Sequence, residues 1–364
     1  MKRRDFLASG AVGAAGMGLA SPAIAQSAPV LQWRLQSSYP KSLDTIYGAS
    51  ETFAKAVHEA SDGNFQIQVF AAGEIVPPLA IVEGVQSGTV EMGQTGSYFY
   101  IGLDPAFAFG TSLPFGPNTR FQQAWFTEMG GNDLFNEFLG GYNIHHLPLG
   151  GTGAQMGGWF RKEINSIADL KGLKMRIGGL SGMILQKLGL VPSQIAAGDV
   201  YPSLERGTID AAEFVGPYDD EKLGLSKVAP YYYYPGFWEG AATLSLFIGL
   251  DKWNELPDRY RSILTTAAGY AGALQLAKYD AQNAEALRRL VAAGAQLRVF
   301  PGDVLEASYN AAKEFYAETA AKSPAFKTLY DHQMAFRDAS LPWLQISEYA
   351  YDTLLLQAAQ QGVN

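Results

Sequence analysis

The stretch LQWRLQSSYPKSLDTIYGASETFAKAVHEASDGNFQIQVF, residues 31–70, sets the fold class. Apolar and polar side chains alternate over residues 31–37 and again over 65–70, which is the pattern of half-buried strands. Between them, residues 44–60 have the apolar spacing of an amphipathic helix. This part of the chain therefore predicts a β-α-β unit.

The next segment continues the same order. A helix starting at Pro77-Pro78 and a strand starting near Val90 extend it to β-α-β-α-β, which predicts a mostly parallel sheet with helices on both faces. Such sheets bind ligands beyond the carboxyl ends of their strands, so the loops 37–42 and 95–100 are candidates for a pocket. The second loop supplies three aromatic residues that could line it, with ordinary core packing as the alternative for each: Tyr98, Phe99 and Tyr100.

A second α/β unit follows. Its predicted elements are a helix over 118–138, a strand over 144–149, a glycine-rich crossing over 150–153, a strand over 155–160, and a strand over 173–177. The two glycines of QMGGWF, residues 155–160, would let another backbone or a ligand approach closely.

Arg176 is the first candidate binding residue. It lies near the carboxyl end of a predicted strand, and Gly178-Gly179 and the start of a helix follow it. A guanidinium, flexible glycines and a helix amino terminus all favour a bound anion. We therefore expect an anion site at Arg176, the alternative being a surface ion pair.

Glu213 is the second candidate, because apolar residues surround this carboxylate within TIDAAEFVGPYDDEKLG at 208–224: Ile209, Ala211, Ala212, Phe214 and Val215. Burying an unpaired carboxylate costs several kcal/mol, so Glu213 is either solvated at the end of an element or held by a cation. We favour the cation. A second isolated carboxylate, Glu239, follows the tyrosine run 231–234, which itself is more typical of packing than of ligand contact.

The rest of the chain is mainly helical. An alanine-rich helix is predicted over 270–293, and residues 303–321 and 342–360 have apolar helical faces. Helices that arrive after both sheets are complete either wrap the two domains or pack on another subunit.

Composition and the N-terminal segment concern the compartment. The 364 residues carry a net charge of -8, and removing residues 1–25 with Lys2, Arg3, Arg4 and Asp5 would leave -10, which argues against a nucleic-acid partner. Residues 1–25 have a basic head, an apolar run and an Ala-Ile-Ala cleavage site, and Arg3-Arg4 fits the twin-arginine pattern, so we expect export through a signal peptide. The chain has no cysteine, which excludes disulfides, thiolate metal sites and a lipid-anchored cysteine.

Histidine offers no metal site. The chain has four histidines, and the adjacent pair His145-His146 on a predicted strand would point to opposite faces. A surface or core position is therefore the expected role of each histidine.

Four segments resemble the solute-binding proteins of TRAP transporters, and in particular the branch that binds 2-oxo and 2-hydroxy monocarboxylates with a metal ion. They are SSYPKSLDTIYGASETFAKAV at 37–57, SIADLKGLKMRIGG at 166–179, LERGTIDAAEFVGPYDDEKLG at 204–224 and PYYYYPGFWEG at 230–240. The resemblance covers essentially the whole chain after the signal segment. It implies a two-domain periplasmic-binding-protein-like α/β fold with a cleft, a long helix spanning both domains, C-terminal helices, and no enzymatic activity.

The resemblance also implies which residues form the site. The ligand carboxylate would meet Arg176, with Gln155 and Phe214 among the ligand-binding residues. Tyr98 and Tyr100 are added to them as the candidates from the loop after the predicted third strand. A bridging sodium or calcium ion would be held by Gln155, Glu213, the Phe214 carbonyl and Glu239. Relatives often have tryptophan where this chain has Phe214, which leaves the size of the pocket open.

Domain limits and partners follow from the same resemblance. It implies a first domain over 30–152 and 240–270, a second over 153–239 and 271–330, and a C-terminal helical segment over 331–364. Expected partners are the TRAP membrane permease and, through a C-terminal helix, a second copy of the chain. Two alternatives stay open at this point, a metal-free binder of dicarboxylates or sugar acids and an exported hydrolase using Glu213 and Glu239.

Overall fold

The structure is a computed structural model that describes residues 29–361. The predicted signal peptide, residues 1–25, lies outside the described residues. Within them, the strands in chain order are β1 Leu31–Ser37, β2 Phe65–Phe70, β3 Met92–Thr95, β4 Ile144–Gly151, β5 Gly158–Phe160, β6 Lys174–Arg176, β7 Val191–Ser193, β8 Ala211–Ala212, β9 Tyr231–Tyr234, β10 Thr243–Gly249 and β11 Gln296–Val299.

The α-helices of the same part of the chain are numbered separately. They are α1 Gly48–Ala60, α2 Ile81–Gln86, α3 Thr119–Glu128, α4 Gly131–Gly140, α5 Gly179–Gln186, α6 Ala197–Glu205, α7 Pro217–Leu223, α8 Leu250–Glu255, α9 Asp258–Ala292, α10 Gly302–Ala320, α11 Pro324–Ile346 and α12 Glu348–Gln360.

Two separate sheets give the two-domain architecture that the sequence predicted. The first has the strand order β2-β1-β3-β10-β4, and the second has the order β11-β9-β5-β8-β6-β7. Strands β1, β2 and β3 pair in parallel, as the β-α-β pattern requires. The sheet is nevertheless mixed, because β10 pairs antiparallel with both β3 and β4. Strand β10 returns from the second unit through an irregular crossing, so no helical crossover imposes a parallel direction on it.

Helix α9 connects the two units. It has 35 residues, which corresponds to a length of about 52 Å. Tyr260 and Leu264 near its start are buried in the core under the first sheet, whereas Tyr279 and Leu290 are buried in the core under the second. The predicted domain-spanning helix is therefore present. It begins at Asp258, well before the expected residue 270, because its first turns lack the alanine-rich signature used to predict it.

The predicted helix over 118–138 is instead two helices, α3 and α4. The chain turns between them at Gly130, whose φ of 74° is in the left-handed region that favours glycine. The next residue, Gly131, packs so closely on Trp125 that a Cβ there would lie 2.5 Å from the indole ring. This close approach ends α3 and lets α4 pack back against it.

The C-terminal segment also differs from the expectation of one helix over 342–360. Pro342 lies inside α11, and the break occurs at Ser347, before α12. Helix α11 packs on α3 and α4 of the first unit, whereas α10 packs on α5 of the second and on α11. Phe315 of α10 and Phe326 of α11 join one core cluster with Phe109 and Trp125. No helix within residues 29–361 combines the length and apolarity needed to cross a membrane.

Candidate functional site

A small cavity of about 20 Å³ lies where the loops of the two sheets meet. The first unit contributes the loops after β1 and β3, and the second contributes the ends of β6 and β8, as expected for ligand sites at the carboxyl ends of strands. Its lining residues are Tyr39, Ile46, Tyr98, Phe99, Thr111, Thr152, Gln155, Arg176, Phe214, Val215, Ala242 and Leu244.

Arg176 is the last residue of β6 and is almost fully buried. Its Nε donates to the Ile195 carbonyl at 3.2 Å, and its Nη1 donates to the Glu213 carbonyl and to Glu213 Oε2 at 2.9 Å. Its guanidinium also lies over the Phe214 ring, 5.3 Å from the ring centre. The Nη2 group makes no hydrogen bond within residues 29–361, so two donors of a fixed planar fork are left for an anion in the cavity.

Glu213 follows the two-residue strand β8, and its backbone N–H donates to the Arg176 carbonyl at 3.0 Å. Its side chain is fully buried, and burial raises the pKa of Glu213 to about 7 although Arg176 opposes the rise. Gly158 of β5 packs directly against this segment. A Cβ at Gly158 would lie 2.7 Å from the Ala212 carbonyl and 2.9 Å from Glu213 Cα, and the φ of 92° excludes most side chains.

Glu239 is the second buried carboxylate of the site. Burial and the nearby Glu213 carboxylate raise its pKa well above the usual value, and Arg176 opposes that rise. Neither of its oxygens meets hydrogen-bond geometry with a described group, although the Tyr98 hydroxyl lies close enough to affect its pKa. Its backbone carbonyl accepts from Gln155 N at 3.0 Å, which places these two residues side by side.

Gln155 is buried in irregular backbone just before β5, which begins three residues later than the sequence predicted. Its Nε2 donates to Thr152 Oγ1 at 3.0 Å, and its Oε1 has no hydrogen-bond partner among the described residues. The neighbouring Met156 N donates to the Val215 carbonyl at 3.1 Å. These bonds connect the glycine-rich crossing to the segment that carries Glu213 and Phe214.

The donor set fits a hard cation. Buried oxygens without hydrogen-bond partners belong to Gln155, Glu213 and Glu239, and an unpartnered buried carboxylate is costly unless a cation compensates it. All of these atoms are oxygens, which suits sodium or calcium rather than zinc. Within residues 29–361 no three His, Asp or Glu side chains cluster to hold a metal, so such an ion would need the Gln155 amide and a main-chain carbonyl as well.

The aromatic candidates separate into two layers. The Tyr98 ring lines the cavity and packs on the glycine pair after β6, where a Cβ at Gly178 or Gly179 would lie 3.0 Å or 2.6 Å from it. Tyr100 lies behind this layer, packs on Phe107, and accepts a hydrogen bond from Ile81 N at 2.9 Å. Tyr100 does not line the cavity.

Two buried aspartates below the cavity were missed by the sequence analysis, although Asp219-Asp220 lie in the stretch quoted for Glu213. Asp220 accepts from Trp159 Nε1 at 2.9 Å and the Tyr232 hydroxyl at 2.7 Å, and its other oxygen accepts from Val215 N at 3.3 Å. It therefore fixes the loop behind Phe214. Burial raises the pKa of Asp220 to about 6 and that of Asp219 to about 7.

One polar cluster joins the two units at the rim. Asp44, before α1, contacts Lys222 of α7 and bonds to Lys278 of α9 at 2.8 Å. The Tyr218 hydroxyl donates to the same carboxylate at 3.3 Å, and the Lys222 ammonium lies 3.6 Å from the centre of the Tyr218 ring. This rim cluster connects the first unit to α7 and α9.

Comparison with known proteins identifies the family of most of the chain. Residues 36–323 match the family described as bacterial extracellular solute-binding protein, family 7. The chain is 46% identical over 358 residues to the monocarboxylate 2-oxoacid-binding periplasmic protein of Nostoc sp. (strain PCC 7120), covering 97% of this chain and 98% of that protein.

Solved structures agree with that match. A TRAP transporter solute-binding protein from Bordetella bronchiseptica RB50, crystallised as a mixed-occupancy dimer with copurified calcium and picolinate, has a TM-score of 0.90 and 46% identity over 92% of this chain and 99% of that one. A TRAP periplasmic solute-binding protein from Pseudoalteromonas atlantica, with bound sodium and pyruvate, has a TM-score of 0.85 and 38% identity over 88% of this chain and 98% of that one. The chain therefore belongs to family 7 of the bacterial extracellular solute-binding proteins, the solute-binding family of TRAP transporters.

Proposed function

We propose that this protein captures a 2-oxo monocarboxylate of the pyruvate class, or the matching 2-hydroxy acid, and delivers it to a TRAP membrane permease. The family is a transport component rather than an enzyme, and TRAP solute-binding proteins are periplasmic. The observation that carries the proposal is that Arg176 and Gln155 line one cavity and adjoin two buried glutamates. Glu213 and Glu239 do not line that cavity themselves, but each has a buried oxygen without a hydrogen-bond partner among the described residues, as Gln155 has.

Charge compensation favours a ligand and a cation together. Glu213 and Glu239 repel a carboxylate ligand, and a unit charge about 4 Å away at an effective dielectric near 20 costs roughly 4 kcal/mol. Arg176, the two glutamates and a monocarboxylate sum to two negative charges. A divalent cation would neutralise this set, and a monovalent cation would halve the excess.

The ligand roles divide by chemistry. The free Nη2 donors of Arg176 would bind the ligand carboxylate, while the Phe214 ring and Tyr98 would cover its carbon side. Gln155 Oε1, Glu213, the Phe214 carbonyl and Glu239 would hold calcium or sodium. An ion held there would supply positive charge beside the ligand carboxylate and would favour a ligand with a second oxygen on C2, which an unsubstituted monocarboxylate lacks.

Isothermal titration tests this function directly. We expect pyruvate to bind in buffers that contain calcium or sodium. Its affinity should fall sharply in a potassium buffer with a chelator, which contains neither free calcium nor sodium. Acetate and succinate serve as matched controls for the 2-oxo group and for the single charge. Chelator-insensitive binding of succinate or a sugar acid would replace this proposal with the metal-free alternative.

We also propose the domain limits given above, 30–152 with 240–270 and 153–239 with 271–330, followed by the segment 331–364. The placement of β10 in the first sheet and β11 in the second supports them. Limited proteolysis with and without ligand should cut near residues 152 and 240 when the cleft opens, whereas residue 270 lies inside helix α9 and should stay protected. Protection of those crossings in both states would contradict the limits.

We propose a homodimer through the C-terminal helices. Large apolar side chains are exposed at the end of α11 and along α12, and such a patch marks a protein contact: Leu341, Trp343, Ile346, Tyr349, Tyr351, Leu354, Leu355 and Leu356. Light scattering should give a dimer mass, and deletion of residues 348–364 should give a monomer. A monomeric full-length chain would exclude this assembly.

Export by the twin-arginine route completes the proposal. Residues 1–25 have the basic head, apolar run and cleavage site described above. Replacing Arg3-Arg4 by Lys-Lys should retain the protein in the cytoplasm, as cell fractionation would show. Unchanged export would point to the general secretory route.

A further inference from the structure

Thr152 occupies the position next to the candidate cation site where its hydroxyl can determine the orientation of Gln155. Its Oγ1 donates to the Gly153 carbonyl at 3.0 Å and accepts from Gln155 Nε2 at 3.0 Å. Thr152 is 3% exposed and Gln155 is 6% exposed. Both side chains are therefore largely withheld from bulk solvent.

A hydroxyl carries one hydrogen, which decides the direction of the whole chain of bonds. Because that hydrogen goes to the Gly153 carbonyl, Thr152 Oγ1 can only accept from Gln155. The amide must then present its Nε2 to Thr152, and its Oε1 faces the opposite way without a hydrogen-bond partner among the described residues. Gln155 N donates to the Glu239 carbonyl and Met156 N to the Val215 carbonyl, so Gln155 lies between the segments that carry Glu239 and Glu213.

The opposite orientation of the Gln155 side-chain amide would disfavour cation binding. It would place the NH₂ group of Gln155 where the structure has the unpartnered Oε1, and an NH₂ group repels a cation. It would also leave the Gly153 carbonyl without its donor. We propose that Thr152 is a positioning residue that holds the Gln155 oxygen toward the cation; this rests on the function proposed above.

The test compares Thr152→Val, which keeps the shape and removes the hydroxyl, with Thr152→Ser, which keeps it. In calcium titrations without organic ligand, Thr152→Val should weaken binding by about 10- to 100-fold, the range for residues that orient metal ligands, and Thr152→Ser should stay within about threefold of wild type. Thermal unfolding in chelator checks that both variants fold as the wild type does.

The Gln155→Glu background isolates the orientation effect. A carboxylate has an oxygen at either end, so Thr152→Val in that background should change calcium affinity by less than about threefold. An equal loss in both backgrounds, or no loss in the Gln155 background, would overturn the inference.

A second readout needs no cation. In the chelated protein, the Gln155 side-chain amide resonances, identified by their loss in Gln155→Glu, should exchange slowly with solvent in wild type and Thr152→Ser and faster in Thr152→Val. Unchanged exchange in Thr152→Val overturns the positioning role. Wild-type protein that binds neither calcium nor sodium while this amide pattern holds would refute the proposed function and leave the orientation confirmed.

Discussion

Removing Arg176 should reveal how much the unliganded fold depends on the same residue that would bind the ligand. Arg176→Met leaves Glu213 fully buried with no cation beside it, and breaking a buried pair in this way destabilises by about 3–5 kcal/mol. The substitution also removes the donors to the Glu213 and Ile195 carbonyls, each worth about 1 kcal/mol. Protonation limits the first contribution, because the pKa of Glu213 is already raised to about 7. We therefore expect a total loss of about 4 kcal/mol near neutral pH.

The double variant Arg176→Met with Glu213→Gln separates stability from binding. Removing both charges should recover about 2 kcal/mol of the loss, since the uncompensated carboxylate is gone and only the two carbonyls stay unpaired. Ligand affinity should not recover, because the donors for the ligand carboxylate are absent and a buried charge partner contributes about 2–5 kcal/mol to binding.

Urea unfolding in chelator and pyruvate titration in calcium buffer measure the two quantities. Arg288→Met, with a side chain 75% exposed, is the matched control and should change neither. If Arg176→Met is as stable as wild type, the ion pair between Arg176 and Glu213 does not stabilise the buried Glu213 carboxylate. If pyruvate affinity survives, Arg176 is not the ligand's partner.

Three further predictions concern the scaffold of the site. Gly158→Ala should cost about 2–4 kcal/mol of stability in thermal unfolding, because the added methyl group would meet the Ala212 carbonyl and Glu213 Cα. Gly172→Ala is the control and should cost about 1 kcal/mol, because Gly172 has a similar positive φ but open space where a Cβ would lie. Equal losses in the two variants would show that the close contacts of Gly158 do not matter. Burial lowers the pKa of His146 to about 3, so between pH 6.5 and pH 3 the unfolded chain binds a proton that the folded chain does not, and the free energy of unfolding falls as the pH falls. His146→Phe should therefore lessen the loss of stability at pH 4 by about 3 kcal/mol, whereas the exposed control His58→Gln should not. If His146→Phe loses as much stability on acidification as wild type does, the prediction is wrong. Asp44→Asn should weaken the rim cluster and speed ligand release about fivefold, which corresponds to about 1 kcal/mol for a partly exposed ion pair. The control Asp62→Asn should release ligand at the wild-type rate in the same stopped-flow experiment. Equal release rates for the two variants would show that the cluster does not hold the cleft closed.

The sequence predicted the fold where local patterns and topology agree. Alternating strands and an amphipathic helix specify the first β-α-β unit, and Arg176 was expected at a strand end from its place before Gly178-Gly179. The antiparallel entry of β10 was not predictable, since strand direction there depends on a crossing between units rather than on a local pattern. The division of α3 from α4 was missed for a related reason, because Gly131 is required by contact with Trp125 rather than by a turn motif alone.

The candidate site shows the same limit. The chemical character of Glu213 is visible in the sequence because its neighbours are apolar. Asp220 is equally buried, but it belongs to the charged run at 219–222, a pattern that predicts a solvent-exposed helix end. Its partners Trp159 and Tyr232 come from two other strands, so only the assembled sheet brings them together. Thr152 likewise gains a role only through the side chain three residues later.

The long helix α9 has a mechanical consequence. Its two ends are embedded in different cores, so a change in the angle between the units must be absorbed as curvature along its shaft. Gly269 and Gly272 lie between the two embedded ends, and Gly272 touches the β4 backbone at Gly150 so closely that a Cβ would lie 2.7 Å from the Gly150 nitrogen. Glycine is where a helix bends most easily. Helix α9 can therefore bend between its two buried ends when the angle between the units changes. The glycines at which it bends most easily lie beside the crossing that carries Thr152 and Gln155.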